Sequence, residues 1–173
     1  MAAVNLGFLT VLSESSGYLG GYLVTNTWGR PLEFRLSTAV QPNKVQQVLY
    51  GPTLRSYIFA DLIGKTLVEK ASVAAGFLLT DSAPLLDLRH KVEMPVVWVL
   101  NSRDTVPANA AIVLPAASGR GPILAHPSFP ADVGLVQQFL SSVQGLIDLS
   151  EPFVRIREAI TEARKLGVTG RAA

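Results

Sequence analysis

Residues Gly17 to Ala71 read GYLGGYLVTNTWGRPLEFRLSTAVQPNKVQQVLYGPTLRSYIFADLIGKTLVEKA, and the reading of this stretch decides the fold. Its plainest signal runs from Pro31 to Thr38. Leu32, Phe34, Leu36 and Thr38 alternate with Glu33, Arg35 and Ser37, the period-two pattern of a strand with one buried and one wet face. Tyr18 to Asn26 is the strand before it, and Thr27-Trp28-Gly29-Arg30 is the turn between them. Gly20 and Gly21 weaken that strand, which points to a bulge or to something approaching the backbone closely. Two strands alone are marginal in water, so a helix or further strands must cover them. The chain supplies a helix at once. Asn43 is suited to cap its start, and Gly51-Pro52 predicts a kink or a junction. From Thr53 to Ala71 a broad apolar stripe predicts a long helix, packed on the strands through Leu54, Ile58, Leu62 and Leu67. Gly64 in its middle costs about 1 kcal/mol relative to alanine, and close packing against the sheet is the use that accounts for it.

Outward from this stretch the pattern continues. Leu6 to Leu12 is apolar on both alternating faces, a strand covered on two sides, and it completes an antiparallel meander of three. Downstream, Ser72 to Asp81, a short helix over Ala83 to Val92 and the buried run Val96 to Leu100 read as a βαβ crossover with parallel strands. The competing reading makes Leu85 to His90 one more meander strand. Ala110 to Leu114 suits a further strand, and Pro115 to Pro130 is a long proline-marked irregular segment. Ala131 to Ile147 predicts an amphipathic helix. A last helix starts at Ser150-Glu151-Pro152 and can end at Gly167, with 168–173 frayed. The expectation is one α+β domain over residues 1–173: an antiparallel meander, a long helix, a βαβ element and a C-terminal helical pair.

Composition narrows the function classes. Of 173 residues, 49% are apolar and only 16% charged, so the polar surface must lean on uncharged side chains or on a partner. Fifteen basic and thirteen acidic residues leave a net charge of +2, too small for a bulk phosphate-binding field. With no cysteine there is no disulfide, thiolate nucleophile or cysteine-ligated metal. The N-terminus lacks the basic region of a signal peptide, and no apolar run is long enough to span a bilayer. The expectation is a cytoplasmic protein without membrane contact.

Few residues carry chemistry. Asp81 closes one apolar run, and Arg103 and Asp104 follow another; parallel strands would bring all three to the carboxyl edge of the sheet, where ligands bind in open α/β sheets. Carboxylates there could hold a divalent cation and the arginine a phosphate, although an aspartate after a strand is commonly turn or capping chemistry. His126, in AHPSFP, is held between prolines as a general base requires, or is a turn residue whose ring bonds the backbone. His90, between Arg89 and Lys91, reads as a solvated surface residue. Ser118 to Pro122 shares only its glycines with a phosphate loop, no G-x-S-x-G occurs, and no spacing suggests zinc. The aromatics of the organising stretch interleave with only Arg30 and Arg35, which favours a core and interface role over stacking on nucleic-acid bases.

Phe153, Ile156 and Ile160 form a narrow seam on the last helix and are the expected interface. The reading therefore leans away from an enzyme, toward a non-catalytic interaction module: a subunit or adaptor in a homo- or hetero-oligomeric assembly, with a protein partner or itself, without cofactor or metal, and with nucleic acid not indicated. The alternative is a metal-dependent hydrolase or phosphotransferase acting on a phosphorylated substrate through Asp81, Asp104 and His126.

Overall fold

The computed structural model describes residues 4–116, 120–143 and 148–167. The expected fraying of 168–173, the end of the helix expected to reach Ile147, and Ser118 and Gly119 lie outside the described residues. One mixed sheet organises the chain. Strands β1 (Leu6–Glu14), β2 (Gly17–Thr25) and β3 (Pro31–Leu36) form the antiparallel meander. The chain leaves the sheet through helix α1 (Lys44–Tyr50), a 3-10 turn (Gly51–Thr53) and a long helix α2 (54–70). It returns as β4 (Phe77–Thr80), parallel to β1, and a 3-10 segment (Ala83–His90) carries it to β5 (Val96–Val99), parallel to β4. Strands β6 (Ala111–Leu114) and β7 (Ile123–Ala125) close the far edge, β7 antiparallel to both β5 and β6. The strand order is β3-β2-β1-β4-β5-β7-β6. Helices α3 (Ala131–Ser142) and α4 (Glu151–Lys165) complete an α+β fold of meander, long joined helix, further strands and C-terminal helical pair.

Local chemistry explains most element boundaries. Asn43 caps α1 reciprocally: its side chain accepts from Gln46 N at 2.8 Å, and Gln46 returns a carboxamide oxygen to Asn43 N at 3.0 Å. At Gly51-Pro52 the helix breaks into the 3-10 turn, as the proline requires. The crossover between β4 and β5 is a 3-10 segment instead of the expected α-helix. Its two fully buried residues, Leu85 and Leu88, are three apart, and that spacing lies on one line in a three-residue turn. Within α2, Tyr57–Gly64 is π-helical. Its wider turn rotates the apolar stripe, so Phe59 and Ile63 are buried with Ile58 and Leu67, while Leu54 and Leu62 stay half-buried. Two other expectations need correction. β3 is an outer strand of the sheet, and Leu32 (44% exposed) and Phe34 (38%) are not buried, because they share the face of Leu23, where α4 covers β1 and β2 and stops short of them. Strand β7 lies inside the segment read as irregular; three residues between prolines are too short to show a period.

Helices pack on both faces of the sheet. On one face, Leu6, Phe8, Leu23, Leu79 and Val97 meet Val136 of α3 and Phe153, Ile156 and Ile160 of α4. On the other, Leu9, Val11, Tyr22, Leu78 and Val96 meet Ile58, Phe59, Ile63 and Leu67 of α2 and Leu85 and Leu88. The interface expected at Phe153, Ile156 and Ile160 is thereby corrected: all three are at most 3% exposed and belong to the chain's own core, because α4 lays that seam on β1 and β2. The two layers close on adjacent residues of β2. A Cβ on Gly20 would run into Ile63 Cγ2, and one on Gly21 would stand 2.5 Å from Ile156 Cγ2. Consecutive strand residues face opposite ways, so this glycine pair receives one helix on each side. Gly64 does the same from α2, where a Cβ would lie 3.0 Å from Leu88 and 3.2 Å from Leu9 side-chain carbons.

Glu33 ties the meander to the exit of α2. Its carboxylate accepts from Ser72 N at 2.8 Å and Val73 N at 2.7 Å and pairs with Arg35 Nε at 2.6 Å. The hydrogen bond from Val73, before that from Arg35 and the other backbone amide, holds its carboxyl below the usual glutamate range against the opposing effect of desolvation.

Gly20→Ala or Gly21→Ala will overpack a helix–sheet contact and lower unfolding stability by about 1–3 kcal/mol. Gly134→Ala, where a Cβ meets nothing within 4 Å in α3, will raise it by up to about 1 kcal/mol. Chemical denaturation of the three variants gives the signs, and a stabilising Gly20→Ala would show that α2 does not press on β2. For Glu33, a depressed folded-state pKa means that its contribution is present above about pH 4.3 and is lost as pH falls through the folded value. The stability gap between wild type and Glu33→Gln, measured by denaturant melts from pH 7 to pH 3, will narrow toward low pH. A constant gap would mean that the carboxylate's charge is not what those amides hold.

Candidate functional site

The parallel pairing of β4 and β5 carries Asp81, Arg103 and Asp104 to the carboxyl edge of the sheet, where the structure uses them separately. Asp81 pairs with Arg157 of α4, whose guanidinium also lies 3.5 Å from the buried Thr10 hydroxyl. Asp104 closes its own turn: its carboxylate accepts from Asn101 N at 2.9 Å, and Asn101 Oδ1 accepts from Arg103 N at 2.8 Å. The Arg103 side chain is exposed. Among the described residues no group of three or more His, Cys, Asp or Glu is placed to hold a metal ion, so a metal-dependent reaction through Asp81 and Asp104 finds no ligand set there.

His126 has different surroundings. It follows β7 directly and is 7% exposed. Its Nδ1 accepts from Ser128 N at 3.1 Å, which places the ring proton on Nε2, and Nε2 faces Asp87 Oδ1 at 3.2 Å. Both ring nitrogens are engaged, so the imidazole positions Asp87 and is not itself a free base. The other Asp87 oxygen accepts from Ser56 Oγ of α2. The row Ser56–Asp87–His126 has its carboxylate in the middle. A hydrolytic triad has its imidazole there, and this arrangement therefore cannot activate the serine through the histidine. Two donors hold the Asp87 carboxylate from behind, and its side chain remains 51% exposed.

A cavity of about 400 Å³ opens in front of this carboxylate. Leu86 and Asp87 of the 3-10 segment, Trp98 of β5, Asn109, and Leu124 and His126 at β7 are among its lining residues. Its size and mixed lining are those of small-ligand sites. Trp98 is 6% exposed and packs with Leu100 and Leu124 in a small cluster beyond the reach of α2. Its Nε1 is a buried side-chain nitrogen without a hydrogen-bond partner among the described residues.

A buried ion pair fixes the cavity wall. Arg89 binds Asp132 of α3 through Nε at 2.6 Å and Nη2 at 3.3 Å, donates from Nη1 to Val92 O at 2.9 Å, and lies 4.1 Å over the Phe129 ring. Asp132 is 3% exposed. His90, exposed as expected, stands edge-on to His126 with ring centroids 4.5 Å apart and to Phe129 at 5.2 Å. The 3-10 segment is thus locked to the loop after β7 and to the start of α3. Sequence reasoning found His126 but not Asp87, Ser56 or Trp98. Asp87 lies 31 residues from Ser56 and 39 from His126, and no motif spacing connects them.

No family model and no curated protein matches the chain. Among solved structures it is similar to an endonuclease V from Ciona intestinalis in complex with an inosine-containing 23mer DNA, at 11% identity and a TM-score of 0.43, over 62% of this chain and 49% of that one. It is also similar to an Argonaute from Marinitoga piezophila in complex with guide RNA, at 11% identity and a TM-score of 0.35, over 82% of this chain and 26% of that one. The chain thus spans half or less of either protein, and a likeness of this degree assigns it no chemistry. The expectations of a non-catalytic assembly subunit, of a balance against an enzyme, and of a protein partner with nucleic acid set aside are corrected here. These two structures are of proteins holding nucleic acid, one of them an endonuclease, and those expectations are withdrawn. Among the described residues no helix is long and apolar enough to cross a membrane.

Arg89→Leu will leave Asp132 buried without its cation and cost about 3–5 kcal/mol of unfolding stability. Arg89→Leu combined with Asp132→Leu will recover most of that loss, because no charge is then stranded. Denaturant melts of the two variants decide it. Equal losses in both would show that the cost lies in packing and not in the ion pair.

Proposed function

We propose that the chain is a hydrolase whose catalytic centre is the cavity beside β5 and β7, with Asp87 as general base and His126 and Ser56 as the residues that position it. One arrangement carries the reading: a half-exposed carboxylate, held from behind by two side-chain donors, at the mouth of a cavity of about 400 Å³. A base must be within reach of its proton and fixed in direction, and both conditions are served by anchoring it to α2 and to the loop after β7. In the proposed step Asp87 accepts a proton from water as the water oxygen bonds to the electrophilic centre of the substrate. The bond to the leaving group breaks, and the leaving group takes up that proton.

This keeps the hydrolase alternative and one of its residues, His126, in a changed role, and moves the carboxylate from Asp81 and Asp104 to Asp87. Among the described residues the lining contains Asp87 and no lysine or arginine, so a neutral or cationic group suits it better than a phosphate. The largely apolar wall around Trp98, Leu86 and Leu124 suits a planar or hydrocarbon body.

The test uses ester, anilide and nucleoside reporter substrates with the full chain. Asp87→Asn will lower turnover by roughly 10²–10⁴-fold without changing circular dichroism, and His126→Phe will lower it less. Trp28, 72% exposed, is the only other tryptophan, so Trp28→Phe makes Trp98 fluorescence a reporter of ligand entry. Turnover unchanged in Asp87→Asn, or a cavity that no reporter enters by Trp98 fluorescence, would overturn the reading.

A further inference from the structure

A second cavity, on the opposite side of the sheet's length, has the reverse charge. A groove of about 250 Å³ lies between the chain leaving β3 and the outer side of α2. Val40, Leu62 and Leu67 make its apolar walls, and among the described residues Arg35 and Lys70 are its charged lining residues. Among the described residues no acidic side chain lines it directly, and Glu33 lies behind Arg35. Arg35 gives Nε to Glu33 at 2.6 Å, which leaves its two terminal nitrogens, and its side chain is 35% exposed. Lys70 stands exposed in the last turn of α2. Hydroxyls of Ser37, Thr38 and Thr66 add polar groups to the lining.

The floor of this groove is rigid. Ile63 and Leu67 are 1% and 4% exposed and rest over Gly20, where a Cβ would displace them. The side chains that would have to move to fill the groove are therefore held against the sheet, and the space persists beside them. Apolar walls next to an exposed lysine and an arginine that keeps two free terminal nitrogens beside its Glu33 partner complement one kind of molecule: an amphipathic anion with a hydrocarbon body and a single charged head.

We infer that this groove binds a single-chain fatty carboxylate, its tail along Val40, Leu62 and Leu67 and its head between Arg35 and Lys70. The inference does not depend on the hydrolase reading, since the groove shares no residue with the Asp87 cavity.

Titration calorimetry with octanoate, decanoate and dodecanoate on the full chain tests it. Affinity will rise about fourfold for each added methylene, the factor expected for its burial, until the groove is filled. Lys70→Glu will weaken decanoate binding at least tenfold, and Arg35→Gln will weaken it while leaving the circular dichroism spectrum unchanged. Decyl phosphate separates the two sources of an anionic head: equal or tighter binding than decanoate would move the assignment from a carboxylate to a phosphate ligand. Decylammonium binding as tightly as decanoate, or decanoate binding that is indifferent to Lys70→Glu, would overturn the inference. So would affinity that does not change with chain length.

Discussion

Two adjacent glycines on β2 set the spacing of the whole structure. Ile63 presses onto Gly20 from one face and Ile156 onto Gly21 from the other, so α2 and α4 approach the sheet as closely as backbone allows at one point of one strand. Any side chain there would push a layer outward. That would open the contacts that Phe8 and Leu23 make with Phe153 and Ile160 on one face, and those of Leu9 and Tyr22 with Ile58 and Phe59 on the other. Interiors packed at crystal density do not absorb such a displacement locally. The glycine pair weakens β2 as a strand and secures it as the centre of a three-layer stack.

The position of α2 also decides where the sheet is left uncovered. Having closed on β1 and β2, the helix has no length left for the outer strands. On the far side only the short 3-10 segment continues the layer, and Trp98, Leu100 and Leu124 lie beyond it as a separate cluster. A 3-10 turn is narrow and rarely long, so it shields only a thin strip of the sheet. The Asp87 cavity is the space that results. On the near side β3 projects past α2, and the basic groove forms along that step. Both cavities thus follow from one helix being clamped over the middle of a seven-stranded sheet.

Rigidity at the Asp87 cavity comes from charge placed where water is excluded. The Arg89–Asp132 pair is expensive to desolvate, and its worth lies in geometry more than in net stability. A planar guanidinium that satisfies a carboxylate, a backbone carbonyl and an aromatic face together admits one orientation. It fixes the 3-10 segment against α3, and so fixes Asp87 relative to His126.

Periodic and local features could be read from the residues alone. The alternation of Pro31 to Thr38, the cap at Asn43, the break at Gly51-Pro52, the parallel pair of strands around residues 78 and 97 and the last two helices were all legible, because hydrophobic period, proline stereochemistry and capping act over a few residues. Gly20, Gly21 and Gly64 announced close approach, although not what approaches. Tertiary structure decided which surfaces those elements present. The seam of Phe153, Ile156 and Ile160 has the same spacing whether it faces a partner or the chain's own sheet, and only the packing of α4 on β1 and β2 turned it inward. A strand of three residues, β7, has no period to read. The π-helical turn in α2 moved Ile63 inward in place of Leu62 through a change of backbone pitch that no residue type records. The site was least legible of all. Ser56, Asp87 and His126 come from a helix, a 3-10 segment and a loop, and their meeting depends on how three layers stack, a relation that sequence spacing does not carry.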